Sequence, residues 1–222
     1  KHKYKGDLEI YTSLEVDFIP GRISPASAAI RDARLDYVLG SVHFVGNFED
    51  GSPWEIDNTS LKFKKGIDEI YGGDVRKAVS DYYALIRKMA TEAPPDIIGH
   101  LDKIKIHNSR TLSFNEESNW YKNEVMKTLE TIKASGKVIE INTRGIYKKI
   151  VAEPYPGIAI LKEILKMNIP ICLNSDSHHP NEITAGFSNT ASLLQSLGFK
   201  KLSILHKKNW IDVDFEEKGI KL

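Results

Sequence analysis

Short apolar runs, each closed by a side chain able to bind a metal or an anion, constrain this chain more than any other feature. Ile171-Cys172-Leu173 is long enough for a buried strand and too short for a helix. It leads directly into Asn174-Ser175-Asp176-Ser177-His178-His179-Pro180. Tyr37 to Phe44 reads as a strand with His43 at its end. Asp96 to Gly99 reads as a brief strand followed at once by His100, and Val138 to Ile141 as a strand followed by Asn142. Each has an ordinary reading when taken alone. Asp176 to His178 could be a polar turn with a helix cap, and His43 or His100 could be a core histidine bonded to a backbone carbonyl. Their recurrence at the same end of several strands is what argues for a site.

Helices separate these strands. Asp74 caps one whose apolar positions Val75, Val79, Tyr82, Leu85, Ile86 and Met89 recur at helical spacing until Pro94-Pro95 stops it. Asn115 to Ser135 continues through Val125, Leu129 and Ile132 to Gly136, and Gly157 to Met167 and Asn189 to Leu197 read as further helices. Pro25 to Arg34 is a short helix with Ser24 as N-cap. Leu8 to Tyr11, Leu14 to Phe18 and Leu202 to Leu205 add strands. The stretch 46–73 reads as loop, and the charged tail from Asn209 as surface. Alternating strands and helices imply a mostly parallel sheet. Polar residues at the ends of several different strands favour a (β/α) barrel, whose site is built on the C-terminal rim. An open sheet would gather its site at one switch point, often with a glycine-rich phosphate loop, and no such loop is present.

The chain of 222 residues suits one domain spanning 1–222, and 41% apolar residues can fill its core. With 31 basic against 30 acidic side chains there is no electrostatic footprint for nucleic acid and no polybasic membrane patch. Cys172, the one cysteine, lies in an apolar strand and reads as a core thiol. No signal-peptide pattern or long uncharged run is seen, so a soluble cytoplasmic protein is expected.

Five side chains suit a metal site: Glu15, His43, His100, Asp176 and His178. Glu15 sits in an apolar strand, where an unpaired carboxylate is costly to bury, although the outward face of an edge strand would also hold it. Asp102 could orient His100 or cap a turn. Arg144, beside Glu140 and Asn142, could clamp a phosphate through its planar fork or remain a solvated charge. Glu153-Pro154-Tyr155-Pro156 reads as a rigid loop that displays an aromatic. His2, His107, His179 and His206 lack a strand-end context and read as surface or supporting residues, with His179 the nearest to an exception.

Leu14 to Gly21, Gly40-Ser41-Val42-His43-Phe44, Gly99-His100-Leu101-Asp102, Glu140 to Thr143 and Asn174 to His178 resemble successive motifs of the PHP superfamily. Within it they are most similar to the monofunctional histidinol-phosphate phosphatases of histidine biosynthesis. The resemblance implies a distorted (β/α)7 TIM-like barrel with a cluster of up to three zinc, manganese or iron ions. Glu15 would bridge the first and second ions, His43 and His100 would complete the second, Asp176 would bind the first and His178 the third. Arg144 would contact the phosphate. Glu153, Tyr155 and His179 would meet the rest of a small phosphate ester, L-histidinol phosphate in this family. The family opens with a strand ending in His-x-His, and His2-Lys3-Tyr4 is not that motif. The first strand–helix unit is therefore expected to be missing from this sequence, with the gap covered by further chain or by a partner, and a homo-oligomer is compatible with this. Two alternatives stay open: a phosphoesterase for another small phosphate or nucleotide, and a metal-binding scaffold without activity.

Overall fold

Apolar runs without polar alternation need cover on both faces. The computed structural model, which describes residues 8–111 and 113–221, supplies it. The strands, in chain order, are β1 (Ser13–Asp17), β2 (Tyr37–Ser41), β3 (Phe44–Asn47), β4 (Pro53–Glu55), β5 (Ile97–Ile98), β6 (Val138–Asn142), β7 (Ile171–Asn174), β8 (Lys201–His206), β9 (Asn209–Glu216) and β10 (Gly219–Lys221). The helices are α1 (Ala28–Asp32), α2 (Ser60–Tyr71), α3 (Val75–Glu92), α4 (Asn108–Thr111), α5 (Asn119–Ser135), α6 (Arg144–Tyr147), α7 (Ile158–Lys166) and α8 (Phe187–Leu197). Among the described residues no helix is long and apolar enough to cross a membrane.

The central sheet has the order β1-β2-β5-β6-β7 and is parallel throughout. Its two faces follow the period of two along each strand. Ile98, Ile139, Ile141 and Ile171 point into the main core, which also holds Tyr82, Tyr83, Ile86 and Met89 of α3, Leu129 and Ile132 of α5, and Leu161 and Ile164 of α7. Leu39, Ile97, Val138 and the buried Cys172 point the other way and pack with Tyr37 and with Trp210 of β9. Parallel pairing sets all C-terminal strand ends on one rim. Asp17, Ser41, Asn142 and Asn174 lie there, Glu15 is two residues short of the end of β1, and His43, His100 and Asp176 follow within two residues of a strand end.

Among the described residues β1 and β7 each pair on one side only, so the parallel strands form an open sheet rather than a closed ring. Several other expectations change. The expected Leu202–Leu205 strand is present as β8, and it pairs antiparallel with β9 outside the parallel sheet. The connecting Lys207 and Lys208 have φ of 47° and 66°, the left-handed pair that a tight hairpin turn requires. The tail from Asn209 is thus not loose surface: Val213 and Phe215 are buried while Asp212, Asp214 and Glu216 alternate outward. Leu8 to Tyr11 is not a strand. The short helix begins at Ala28 after Ser27, three residues past the expected Ser24 cap.

The stretch 46–73 is not a loop. It holds β4 and α2, whose Thr59 hydroxyl accepts a hydrogen bond from the Lys62 N–H and caps the first turn. Phe63, Gly66 and Ile67 form the buried face of α2. Gly66 serves close packing: a Cβ there would stand 2.2 Å from Nε1 of the fully buried Trp54.

Candidate metal centre

Strand β1 carries Glu15, and its Oε1 receives the Ser41 hydroxyl at 2.7 Å from the end of β2. The same oxygen lies 3.0 Å from His100 Nε2 and 3.7 Å from His43 Nε2, and the two imidazole nitrogens are 3.0 Å apart. Among the described residues this is the one group of at least three such ligand atoms that converge within 4.8 Å. His43 Nδ1 is 2.6 Å from Asp17 Oδ1. With the ring proton donated to that carboxylate, Nε2 presents a lone pair to the Glu15 oxygen and the second imidazole. In their deprotonated forms the carboxylate oxygen and the two imidazole nitrogens are converging lone-pair donors, the set that a cation takes. Separations of 3.0 to 3.7 Å fit three ligands about 2.0–2.2 Å from one ion. A carboxylate with two imidazoles suits zinc, manganese or iron, and the residues therefore fit a divalent ion.

Electrostatics reinforce the arrangement. Burial opposes charge on Glu15, but hydrogen bonding and charge from His100, with Ser41 and His43 behind them, hold its carboxyl well below the ordinary range. Burial also opposes an imidazolium at His43, and the Asp17 hydrogen bond with the charges of Asp57 and Glu15 raises its pKa above 6.5.

These shifts set a pH dependence. In the ion-free chain the His43 contribution to stability is present below about 6.5 and is lost as pH rises through its folded value. The Glu15 contribution is present above about 4.5 and is lost as pH falls. A bound ion must displace the His43 proton, so its stabilising effect grows with pH. The rise in Tm on adding zinc is expected to be larger near ~pH 8 than near ~pH 6. Thermal melts at fixed free zinc check this, and an increment independent of pH would remove His43 from the ligand set.

Hydrogen bonds among polar side chains behind the triad fix the rim. Glu140 is buried and accepts hydrogen bonds from the His100 backbone N–H at 2.7 Å, Asn174 Nδ2 at 3.1 Å and Asn142 Nδ2 at 3.2 Å. Burial pushes its carboxyl up against those bonds. Asn142 Nδ2 also reaches Asp176 Oδ2 at 3.2 Å, joining β6 to the loop after β7. In that loop Arg144 Nη1 donates to the Asp176 carbonyl at 2.7 Å and approaches His178 Nδ1 at 2.9 Å. Asp176 and His178 are not in the triad. They line a cavity of about 350 Å³ together with Glu15, Glu140 and Asn174. A larger cavity of about 850 Å³ adjoins it, with Tyr37, Phe187 and Asn174 in both walls.

Other expected site residues fall elsewhere. Tyr155 is not displayed but fully buried, because its backbone pairs with Asn142 in both directions and draws the ring beneath the rim. Glu153 caps α7 through the Ile158 N–H at 2.7 Å and meets Lys105 Nζ at 3.3 Å. His179 is exposed, and its Nδ1 accepts from the Asn181 N–H at the turn Pro180–Glu182. His107 is buried against Phe63 rather than at the surface. His2 lies outside the described residues. Asp102 does not orient His100; it accepts Lys105 Nζ at 2.8 Å and the Gly157 N–H at 2.9 Å. Asp17, Ser41 and Asn174 were not among the expected site residues. Their position on the same strand face as Glu15, or at the same rim, was the available signal.

The PHP domain family model matches residues 1–144. A provisionally assigned histidinol-phosphatase of Deinococcus radiodurans is 28% identical over 208 residues, 94% of this chain and 72% of its own length. A histidinol-phosphatase of Bacillus subtilis is 26% identical over 191 residues, 82% of this chain and 68% of its own. Among solved structures, a provisionally assigned histidinol phosphatase from Listeria monocytogenes has a TM-score of 0.70 at 24% identity, covering 85% of this chain and 71% of that one. A histidinol phosphate phosphatase from Lactococcus lactis, complexed with zinc, L-histidinol and phosphate, has a TM-score of 0.63 at 19% identity. That match covers 100% of this chain and 75% of the other, and both structures share its fold.

Proposed function

Because the chain belongs to the PHP domain family, we propose that it hydrolyses a phosphate monoester with metal assistance, and that its substrate is L-histidinol phosphate. One observation carries the reading: the Glu15, His43 and His100 triad opens beside a cavity that Asp176 and His178 also line. Glu15, His43 and His100 hold a divalent ion in this reading, and Asp176 and His178 extend the centre to as many as three. Such ions supply Lewis acidity at the phosphoryl group and a water of lowered pKa. The chain's own residues do the rest. Asp17 keeps the His43 ring in the tautomer that turns Nε2 inward. Arg144, anchored to the Asp176 carbonyl, presents its remaining N–H groups to phosphoryl oxygens as charge builds in the transition state. The small-phosphate substrate draws support from both curated relatives, each a histidinol-phosphatase by assignment. Tyr155 and Glu153 have no part in substrate contact here, since one is buried and the other is engaged in a helix cap and an ion pair.

A panel of phosphomonoesters tests this. With zinc or manganese supplied, kcat/KM for L-histidinol phosphate is expected to exceed that for nucleoside monophosphates and a simple aryl phosphate by about 100-fold or more, the span that polar recognition can supply. A preference for a nucleotide would overturn the substrate, and no phosphate release from any ester would overturn the hydrolase.

A further inference from the structure

Lys103 and Lys105 leave the same short turn after β5, and both are buried, with relative exposures of 7% and 6%. Their surroundings differ. The Lys105 ammonium has Asp102 at 2.8 Å, Glu153 at 3.3 Å and Glu116 at 3.5 Å. The Lys103 ammonium meets Asp57 Oδ2 at 3.7 Å, beyond hydrogen-bond reach, and the Tyr155 ring at 5.4 Å. An ammonium carries three donors, and among the described residues no side chain or carbonyl lies within hydrogen-bond distance of this one. The same Asp57 oxygen lies 4.0 Å from His43 Nε2, the nitrogen that faces Glu15 and His100. One carboxylate therefore stands between the under-bonded ammonium and the triad.

We infer that Lys103 is a phosphate-binding residue, its ammonium taking phosphoryl oxygens of substrate or product on the Asp57 side of the triad. A phosphoryl group has several acceptor oxygens and satisfies donors that one distant carboxylate cannot. Lysine suits a point-charge contact of this kind. The ligand class rests on the phosphomonoesterase reading, but the contact is testable without turnover.

The test is calorimetric titration of inorganic phosphate into the zinc-loaded chain, wild type against Lys103→Met, Lys103→Gln and Lys103→Arg, with zinc content and Tm measured alongside. The neutral variants are expected to bind phosphate on the order of 10- to 100-fold more weakly with unchanged zinc, and Lys103→Arg to recover most of the loss. In turnover the loss should fall mainly on KM, since the contact exists before and during the reaction. Two neutral variants guard against one that does not fold. Wild-type affinity in either folded neutral variant overturns the inference, and so does loss of zinc in step with phosphate, or failure of the wild type to bind phosphate. Lys103-dependent phosphate binding without hydrolysis of any ester would sustain this inference and overturn the proposed function. Hydrolysis with Lys103 indifferent would do the reverse.

Discussion

Replacing His100 with glutamine is expected to abolish stoichiometric zinc binding and to lower kcat/KM on the order of 1000-fold or more. His100 is 1% exposed, and its Nε2 stands 3.0 Å from both Glu15 Oε1 and His43 Nε2, at the centre of the ligand set. Glutamine keeps roughly the length of the side chain, and the backbone N–H of residue 100 keeps its bond to Glu140. Loss of the ion should therefore exceed any loss of fold. His206→Ala, far along the chain with its ring beside Glu9, is the matched control and should change neither quantity. Zinc content by mass spectrometry, kinetics and a thermal melt on each variant separate the possibilities. Retained zinc and activity in His100→Gln would place the centre elsewhere.

The largest effect on stability is expected at Lys105. Burial opposes its charge, and Asp102 leads Glu116 and Glu153 in outweighing it. Lys105→Met leaves Asp102, which is fully buried, with the Gly157 N–H as its one remaining hydrogen bond among the described residues. Breaking such a pair costs about 3–5 kcal/mol. Burial already raises the Asp102 pKa above 3.8, and losing the ammonium raises it further. A folded-state carboxyl with a raised pKa binds protons in preference to the unfolded chain, so the deficit should shrink as pH falls from about 7.5 to about 5.5. Urea unfolding at both values checks this. A cost below about 1 kcal/mol at both would show the pair to be dispensable. The consequence would reach function, because Asp102 ties the turn that carries Lys103 to the start of α7.

Local signals made the rim legible. A short apolar run followed by His100, or by Asp176 and His178, is a strong clue because side chains past a strand end share the direction of every other parallel strand. Glu15 was legible for the same reason, since a carboxylate amid apolar strand residues needs partners. What escaped reading depended on non-local contacts. Helix α2 was hidden by its glycines, and only Trp54 packing on Gly66 explains why one of them lies inside a helix. The β8–β9 turn carries two lysines at positive φ, where asparagine or glycine would have signalled a hairpin. Tyr155 between two prolines looked displayed, and its pairing with Asn142, thirteen residues earlier in the sequence, buries it. Asp17 follows Glu15 by two positions on the same strand face, and its value became apparent only once His43 was placed opposite. That the last strands form a sheet of their own, β10-β9-β8, could not be read from strand count.

If Glu15, His43 and His100 hold a divalent ion, the ion can be located directly. The most direct test is an anomalous diffraction map at the zinc edge from crystals of the zinc-loaded protein. A peak is expected bonded to Glu15 Oε1, His43 Nε2 and His100 Nε2 at about 2.0–2.2 Å each. A map with no peak among these three atoms, at saturating zinc and with all three side chains ordered, would contradict this ligand set.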